Sequence, residues 1–271
     1  MTINEALNHA KSELKFHESR AFVARALMQY FSGLSKEQIY LKGGDELDNA
    51  SEYFKFVKRF KNSEPLEYIT GVASFYSREF EIQSGVLIPR PESEILVEKV
   101  SEILVGFDTP RVCEIGVGSG VISVSLLLNF KDLFIIATDI NEKALELSRK
   151  NAIKFGVSDR LKLVKTSLMD EVLGEFDVII SNPPYIASDY KLDDFVLNEP
   201  HNALFGGEKG DEILKQIIAL ASKRNAKILA CEMGYDQRQS MQEELEKFGF
   251  EAEFYKDLAG FDRGFVAKSK K

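Results

Sequence analysis

Two cysteines and three histidines are all the sulfur and imidazole ligands that this chain of 271 residues offers. Cys113 and Cys231 both sit in apolar, strand-like runs, which reads as two buried thiols rather than a disulfide or a metal site. His9, His17 and His201 are scattered without metal-ligand spacing, so no metal centre is expected. No apolar run approaches the roughly 20 residues that a membrane helix needs. The first residues, Met1-Thr2-Ile3-Asn4-Glu5, lack a basic region followed by an apolar stretch, so no signal peptide is expected. Basic charge is also scarce. The 35 Lys and Arg are outnumbered by 43 Asp and Glu, and the net charge is −8. A protein built to grip duplex nucleic acid carries a basic face, so direct nucleic-acid binding is not expected, and a protein or small-molecule substrate is favoured. The hydrophobic content of 44% and charged content of 29% are ordinary for a soluble globular protein.

The N-terminal 70 or so residues read as short helices. Thr2 to Glu5 fits a capping box, with Leu7, Ala10 and Leu14 as the apolar stripe behind it. Ser19 is placed to cap a second helix carrying Phe22, Val23, Ala26, Leu27 and Tyr30, and Ser35 to Gln38 is another capping-box pattern. Asp48 to Phe60 reads as a further helix. No catalytic cluster falls here, so the region reads as an all-α accessory domain whose function is substrate recognition. The patchy alternation from Ser74 to Leu87 suggests a β-hairpin, and Pro89-Arg90-Pro91 stiffens the backbone before a helix near Glu92 to Ile103. That stiffness holds Arg90 in place, either for the substrate or as a plain structural ion pair.

From about residue 111 strands and helices alternate. Strand-like runs are 111–115, 133–138, 161–164, 176–180 and 226–231, with helices between them at 121–128, 141–155 and 211–222. This pattern predicts a mostly parallel sheet covered by helices on both faces. After a helix at 237–248, two short strands at 251–256 and 264–267 fit a hairpin-like edge. The expected division is 1–72 helical domain, 73–92 hairpin linker and 93–271 α/β domain.

Two motifs carry chemistry. Glu114-Ile115-Gly116-Val117-Gly118-Ser119-Gly120 closes the first strand of the alternating region and opens a helix, where glycines let the backbone turn sharply and a ligand lie against it. Asp139 ends the second strand, about 20 residues further on, the distance at which a carboxylate accepts hydrogen bonds from ribose hydroxyls. These two features alone fit either a nicotinamide dinucleotide or S-adenosylmethionine. Asn182-Pro183-Pro184-Tyr185, at the end of the fourth strand, separates them. A planar NH2 group is a poor nucleophile because its lone pair is delocalised. An Asn oxygen and a Pro carbonyl aimed at its two N–H bonds draw electron density back to nitrogen, and proline adds no competing N–H. The Tyr185 face is suited to pack on a flat substrate. Alkylation of a planar amino nitrogen follows, whereas hydride transfer has no evident need of such a loop.

Together the Gly loop, Asp139 and Asn182-Pro183-Pro184-Tyr185 resemble class I S-adenosylmethionine-dependent methyltransferases that act on planar amino nitrogens. Leu87 to Glu94, Pro65 to Gly71 and the run Glu199-Pro200 with Ala203-Leu204-Phe205-Gly206-Gly207 and Gly210-Asp211 are similar to segments of the peptide chain release factor glutamine methyltransferases. The related enzyme for a ribosomal protein glutamine typically has Ser-Pro where this chain has Pro91-Glu92. The resemblance implies a Rossmann-like α/β sheet, mostly parallel with an antiparallel edge, a small all-α N-terminal domain and a β-hairpin linker. It implies S-adenosylmethionine as cofactor, with Gly116, Val117, Gly118, Ser119 and Gly120 along its methionine part, Asp139 on the ribose and Asn182 beside the sulfonium methyl. Leu168, in Ser167-Leu168, stands where an aromatic often follows Asp in the family, so it offers apolar contact to adenine without stacking. It further implies release factors as protein substrate, with Asn182, Pro183, Pro184 and Tyr185 contacting the target glutamine and Asn182, Pro183 and Tyr185 forming the catalytic group. A monomer in the cytoplasm is expected. The alternatives are methylation of a ribosomal protein glutamine or of adenine N6 or guanine N2 in a nucleic acid, and a non-catalytic nucleotide-binding protein on the same scaffold.

Overall fold

A computed structural model describes residues 1–271. The chain divides into two compact units, residues Met1–Val72 with Asp193–Asn198, and residues Ala73–Leu192 with Glu199–Lys271.

The first unit is helical: α1 (Ile3–Glu13), α2 (Arg20–Ser32), α3 (Lys36–Leu41), α4 (Ala50–Lys61) and α5 (Leu66–Thr70). Both expected capping boxes form, Thr2 with Glu5 and Ser35 with Gln38. Ser19 occupies the cap position of α2, but its side chain makes no capping bond; its backbone N–H instead donates to Nδ1 of His17. α4 starts two residues later than Asp48, after Asn49 takes up a left-handed conformation. Ala10, Leu14, Leu27, Met28, Tyr53 and Phe60 fill the core, and the Tyr53 hydroxyl is satisfied by the carbonyl of Ala24. Phe195, from the short excursion 193–198, packs its ring 4.8 Å from that of Phe60 and 5.8 Å from that of His17. Sequence patterning gave no sign that this segment belongs with the helices.

A two-stranded hairpin, β1 (Val72–Phe75) and β2 (Arg78–Glu81), follows, and all but its first residue belongs to the second unit. Its two turn residues, Tyr76 and Ser77, both have positive φ, the geometry that matches strand twist in a tight hairpin. Then follow α6 (Ser93–Leu104), β3 (Val112–Ile115), α7 (Val121–Asn129), β4 (Ile135–Asp139), α8 (Glu142–Lys154), β5 (Leu161–Lys165) and β6 (Val178–Ser181). Next come β7 (Ile186–Ala187), α9 (His201–Leu204), β8 (Phe205–Gly207), α10 (Glu212–Lys223), β9 (Ile228–Glu232), α11 (Arg238–Lys247), β10 (Phe250–Lys256) and β11 (Asp262–Ser269).

Seven strands form the main sheet in the order β10-β11-β9-β6-β3-β4-β5. The five from β9 to β5 are parallel, and β11 and β10 add an antiparallel edge. Side chains alternate between two buried layers. Val112, Val178, Ile180, Ile228 and Ala230 meet α6 and α7 on one face; Cys113, Ile179, Leu229 and Cys231 meet α10 and α11 on the other. Both cysteines are free and buried, and burial pushes the Cys113 thiol up to about 12. The chain runs outward from β3 through β4 to β5, then returns to β6 on the other side of β3. That reversal opens a crevice at the carboxyl ends of β3 and β6, where open α/β sheets place their ligands.

Candidate active site

The Gly-rich loop leaves β3 at this crevice. Gly116, Gly118 and Gly120 all have positive φ, which residues with a Cβ reach only with strain. The N–H groups of Gly116 and Val117 both donate to the carbonyl of Thr138, 2.9 Å away, which ties the loop to the end of β4. Asp139 closes the arrangement. Its carboxylate accepts from the N–H of Gly118 at 3.0 Å and of Asn141 at 2.8 Å. Burial nevertheless raises its pKa, the backbone bonds only partly offsetting the loss of water.

A cavity lies over this loop. It is lined by Gly116, Gly118, Asp139, Leu168, Asn182, Pro183 and Pro184 among the expected residues. Val117, Ser119 and Gly120 do not line it. Val117 and Ser119 turn inward and are buried, and a Cβ on Gly120 would lie 3.0–3.2 Å from Ser148, so that part of the loop packs against α8. Ile140, Asn141, Ala144 and Thr166 also line the cavity, with Val86 and Leu87 from the segment after β2. Val86 and Leu87 fall in the hairpin run, and Leu87 also opens the family-like Leu87 to Glu94 segment, but neither was assigned to the cofactor. Ile140, Asn141, Ala144 and Thr166 were not singled out from sequence, and their only signal was position in the few residues after β4 and β5. The Thr138 hydroxyl donates to the carbonyl of Leu168 at 2.6 Å, which holds Leu168 at a φ of 46°. The cavity thus pairs a carboxylate with apolar walls from Leu168, Ile140, Ala144 and Val86. This donor set fits an adenosine whose ribose hydroxyls meet Asp139 and whose base meets the apolar side.

The Asn182-Pro183-Pro184-Tyr185 loop is braced at four points. Asn182 Nδ2 donates to Ser93 Oγ at 2.9 Å. The Tyr185 hydroxyl donates to Glu232 Oε1 at 3.0 Å, and the Tyr185 carbonyl accepts from Gln237 Nε2 at 2.8 Å. The fourth brace is a close backbone approach: a Cβ on Gly206 would lie 2.5 Å from the Pro184 carbonyl, and one on Gly210 would lie 2.5 Å from that of Tyr185. Only glycine fits at either position, which explains the Gly-Gly and Gly-Asp pattern after the loop. Tyr185 does not line the cavity. Its hydroxyl is drawn toward Glu232 and its ring packs on the sheet core, so it anchors the loop from behind. With Nδ2 engaged, Asn182 Oδ1 has no protein donor, and neither has the Pro183 carbonyl.

Arg90 is an ion-pair partner. It and the N–H of Ile88, at 2.9 Å, both bond the carboxylate of buried Glu199, so Glu199 ties the proline-stiffened segment to the chain beyond the loop. Glu114, within the Gly-loop motif, lies wholly buried with Ser123 as its hydrogen-bond partner and no cation, and burial pushes it up to about 8.

Residues 91–205 match the family described as Methyltransferase small domain, and residues 5–71 the one described as PrmC N-terminal domain. The chain is 36% identical over 258 residues to the release factor glutamine methyltransferase of Aquifex aeolicus, covering 90% of each chain. It is 37% identical over 258 residues to the one of Neisseria gonorrhoeae, covering 92% of this chain and 93% of that one. In fold it is similar to a crystal structure of a ribosomal protein L11 methylase from Lactobacillus delbrueckii, with a TM-score of 0.53 and 20% identity, over 70% of this chain and 84% of that one. No helix is long and apolar enough to cross a membrane. The strand order, the crevice and likeness over nine-tenths of the length agree, and the chain belongs to the release factor glutamine methyltransferase family.

Proposed function

We propose that this enzyme transfers a methyl group from S-adenosylmethionine to the side-chain amide nitrogen (N5) of the glutamine in the Gly-Gly-Gln loop of class 1 peptide chain release factors. The observation that carries this reading is the orientation of Asn182. Its NH2 is spent on Ser93, so the group left for a ligand is an oxygen, and the Pro183 carbonyl is a second unclaimed acceptor in the same turn. Two acceptors match the two hydrogens of a carboxamide.

Asp139 and the backbone at Gly116 and Gly118 would hold the cofactor, with Leu168, Ile140 and Ala144 beside its base. When bound, S-adenosylmethionine supplies an electrophilic methyl on a sulfonium sulfur. Asn182 Oδ1 and the Pro183 carbonyl would accept the two amide hydrogens and orient the nitrogen toward the transferred methyl. Transfer would form the C–N bond and leave the C–S electron pair on sulfur. The methylated nitrogen then sheds one proton to water. Positioning and paired acceptors supply the catalysis, and no strong base is required before transfer. Pro184 forms the wall next to these acceptors, and Tyr185 keeps the turn rigid. The helical unit recognises the release factor, and the enzyme works as a monomer in the cytoplasm, where its substrate acts.

The test is incorporation of labelled methyl from S-adenosylmethionine into release factor, repeated with the target Gln replaced. Loss of label on replacement is expected; label surviving at full level rules out this substrate.

A further inference from the structure

Behind the loop lies a buried polar chain that methyl transfer does not use directly. Glu232 ends β9, and its side chain points to the same face as Ile228 and Ala230, toward α6. Ser93 is the first residue of α6. They are 1% and 2% exposed. Ser93 Oγ donates to Glu232 Oε2 at 2.6 Å and accepts from Asn182 Nδ2 at 2.9 Å. A hydroxyl carries a single hydrogen, and an ionised carboxylate can only accept. Once Ser93 gives its hydrogen to Glu232, it has nothing but a lone pair to offer Asn182. The Asn182 amide must then turn its NH2 toward Ser93 and its oxygen away. The opposite flip would set oxygen against oxygen at Ser93 and an NH2 against the amide hydrogens of the substrate.

We propose that Glu232, acting through Ser93, is the positioning residue that fixes the Asn182 amide with its oxygen toward the reacting nitrogen. The idea rests on the reading of Asn182 as an amide acceptor. Buried polar chains of this kind are costly unless every member is paired. Here each is, because Tyr185 fills the second carboxylate oxygen. Burial raises the Glu232 pKa, while the hydrogen bonds from Ser93 and Tyr185 and the charge of Arg263 on β11 favour its ionised form. Tyr255 on β10 and Glu92 before α6 also face it, and Arg263 is itself held by Asp257 at 2.8 Å.

Glu232→Gln keeps the shape but gives Ser93 a donor, which releases the Ser93 hydrogen to Asn182 and reverses the chain. Ser93→Ala only frees the amide to rotate. The expected result is a kcat loss of roughly 10- to 100-fold in Glu232→Gln, on the scale of losing a positioned transition-state contact. A smaller loss is expected in Ser93→Ala, with KM for S-adenosylmethionine within about twofold of wild type in both. A purely structural role would not rank the isosteric change as the worse one. The second readout needs no substrate: slow hydrogen exchange of the Asn182 side-chain NH2, followed by NMR, is expected in wild type and lost in both variants. Should Glu232→Gln fail to fold, the Ser93→Ala exchange rate decides alone. Wild-type kcat in Glu232→Gln, or Asn182 protection unchanged in either variant, overturns the proposal. If wild-type protein left the glutamine unmethylated, the functional reading would fall, and the exchange measurement would still decide the orientation of Asn182.

Discussion

In the proposed reaction Asn182 has a demanding task, since it must present one end of a nearly symmetric amide, and the bond from its Nδ2 to Ser93 Oγ leaves the oxygen for that task. Asn182→Ala removes one of the two acceptors while leaving the cofactor loop intact. Calorimetry should therefore show S-adenosylmethionine affinity within a few-fold of wild type, while single-turnover methylation falls by about 100-fold or more. Asp139→Ala should show the converse: because Asp139 lines the cavity and ties down the N–H of Gly118, its loss should raise KM for the cofactor more than it lowers kcat. Glu114 gives a third prediction, in stability. Burial without a cation raises its folded pKa from 4.5 to about 8. The native protein thus holds this proton more tightly than the unfolded chain. The resulting stabilisation is full below 4.5 and is lost as pH rises through about 8. Glu114→Gln should flatten the decline in denaturant-derived stability between about pH 5 and 8, by an amount on the order of a few kcal/mol. An unchanged slope would show that Glu114 does not carry it.

Among the elements, the short parallel pair β7 and β8 matters most, because it presses the backbone of and after the Asn182-Pro183-Pro184-Tyr185 turn against Gly206 and Gly210. A methyl at Gly206 would lie 2.2 Å from the Gly210 carbonyl and 2.5 Å from that of Pro184, and neither backbone can yield without moving the turn. Gly206→Ala should cost kcat at least about tenfold at unchanged cofactor affinity, because misplacement by even an ångström is expensive in a positioned site. Near-normal turnover would show that the turn tolerates displacement. The elements themselves were largely readable in advance. β3, β4, β5, β6 and β9 lie within about two residues of the strand-like runs, because the central strands β3, β6 and β9, buried on both faces, demand near-continuous apolar residues. The edge strand β5 shows only through the alternation of Leu161, Leu163 and Val164 with lysines. Ser19 shows the limit of such reading. It has the right residue type at the right place, yet its side chain makes no cap bond, because local sequence does not say which of several nearby donors a hydroxyl will meet.

For the whole molecule, charge and topology set the terms. With a net charge of −8 the protein should bind non-specific duplex DNA too weakly to detect at about 0.15 M salt, and added duplex should not slow methylation of release factor. A steeply salt-dependent DNA affinity would expose a local basic patch that composition hides. The sheet reverses direction between β3 and β6, and that reversal gathers the Gly loop, Asp139 and Asn182 from separate stretches of sequence into one crevice. Each of those residues stands at the carboxyl end of a recognisable strand, so the candidate site could be anticipated from spacing once the alternating pattern was seen.

The amino-acid sequence alone determined the α/β class, the strand ends, the turn glycines and the residue types at the cofactor and amide sites, because strand periodicity and backbone freedom are properties of short segments. It could not determine that Ser93 lies against Asn182, 89 positions away, or against Glu232, 139 positions away. Nor could it show that Tyr185 braces the turn from behind, or that Val117 and Ser119 turn inward. Those facts follow from sheet order and from which face each strand residue occupies, and the orientation of one amide group depends on contacts that exist only once the sheet has closed around it.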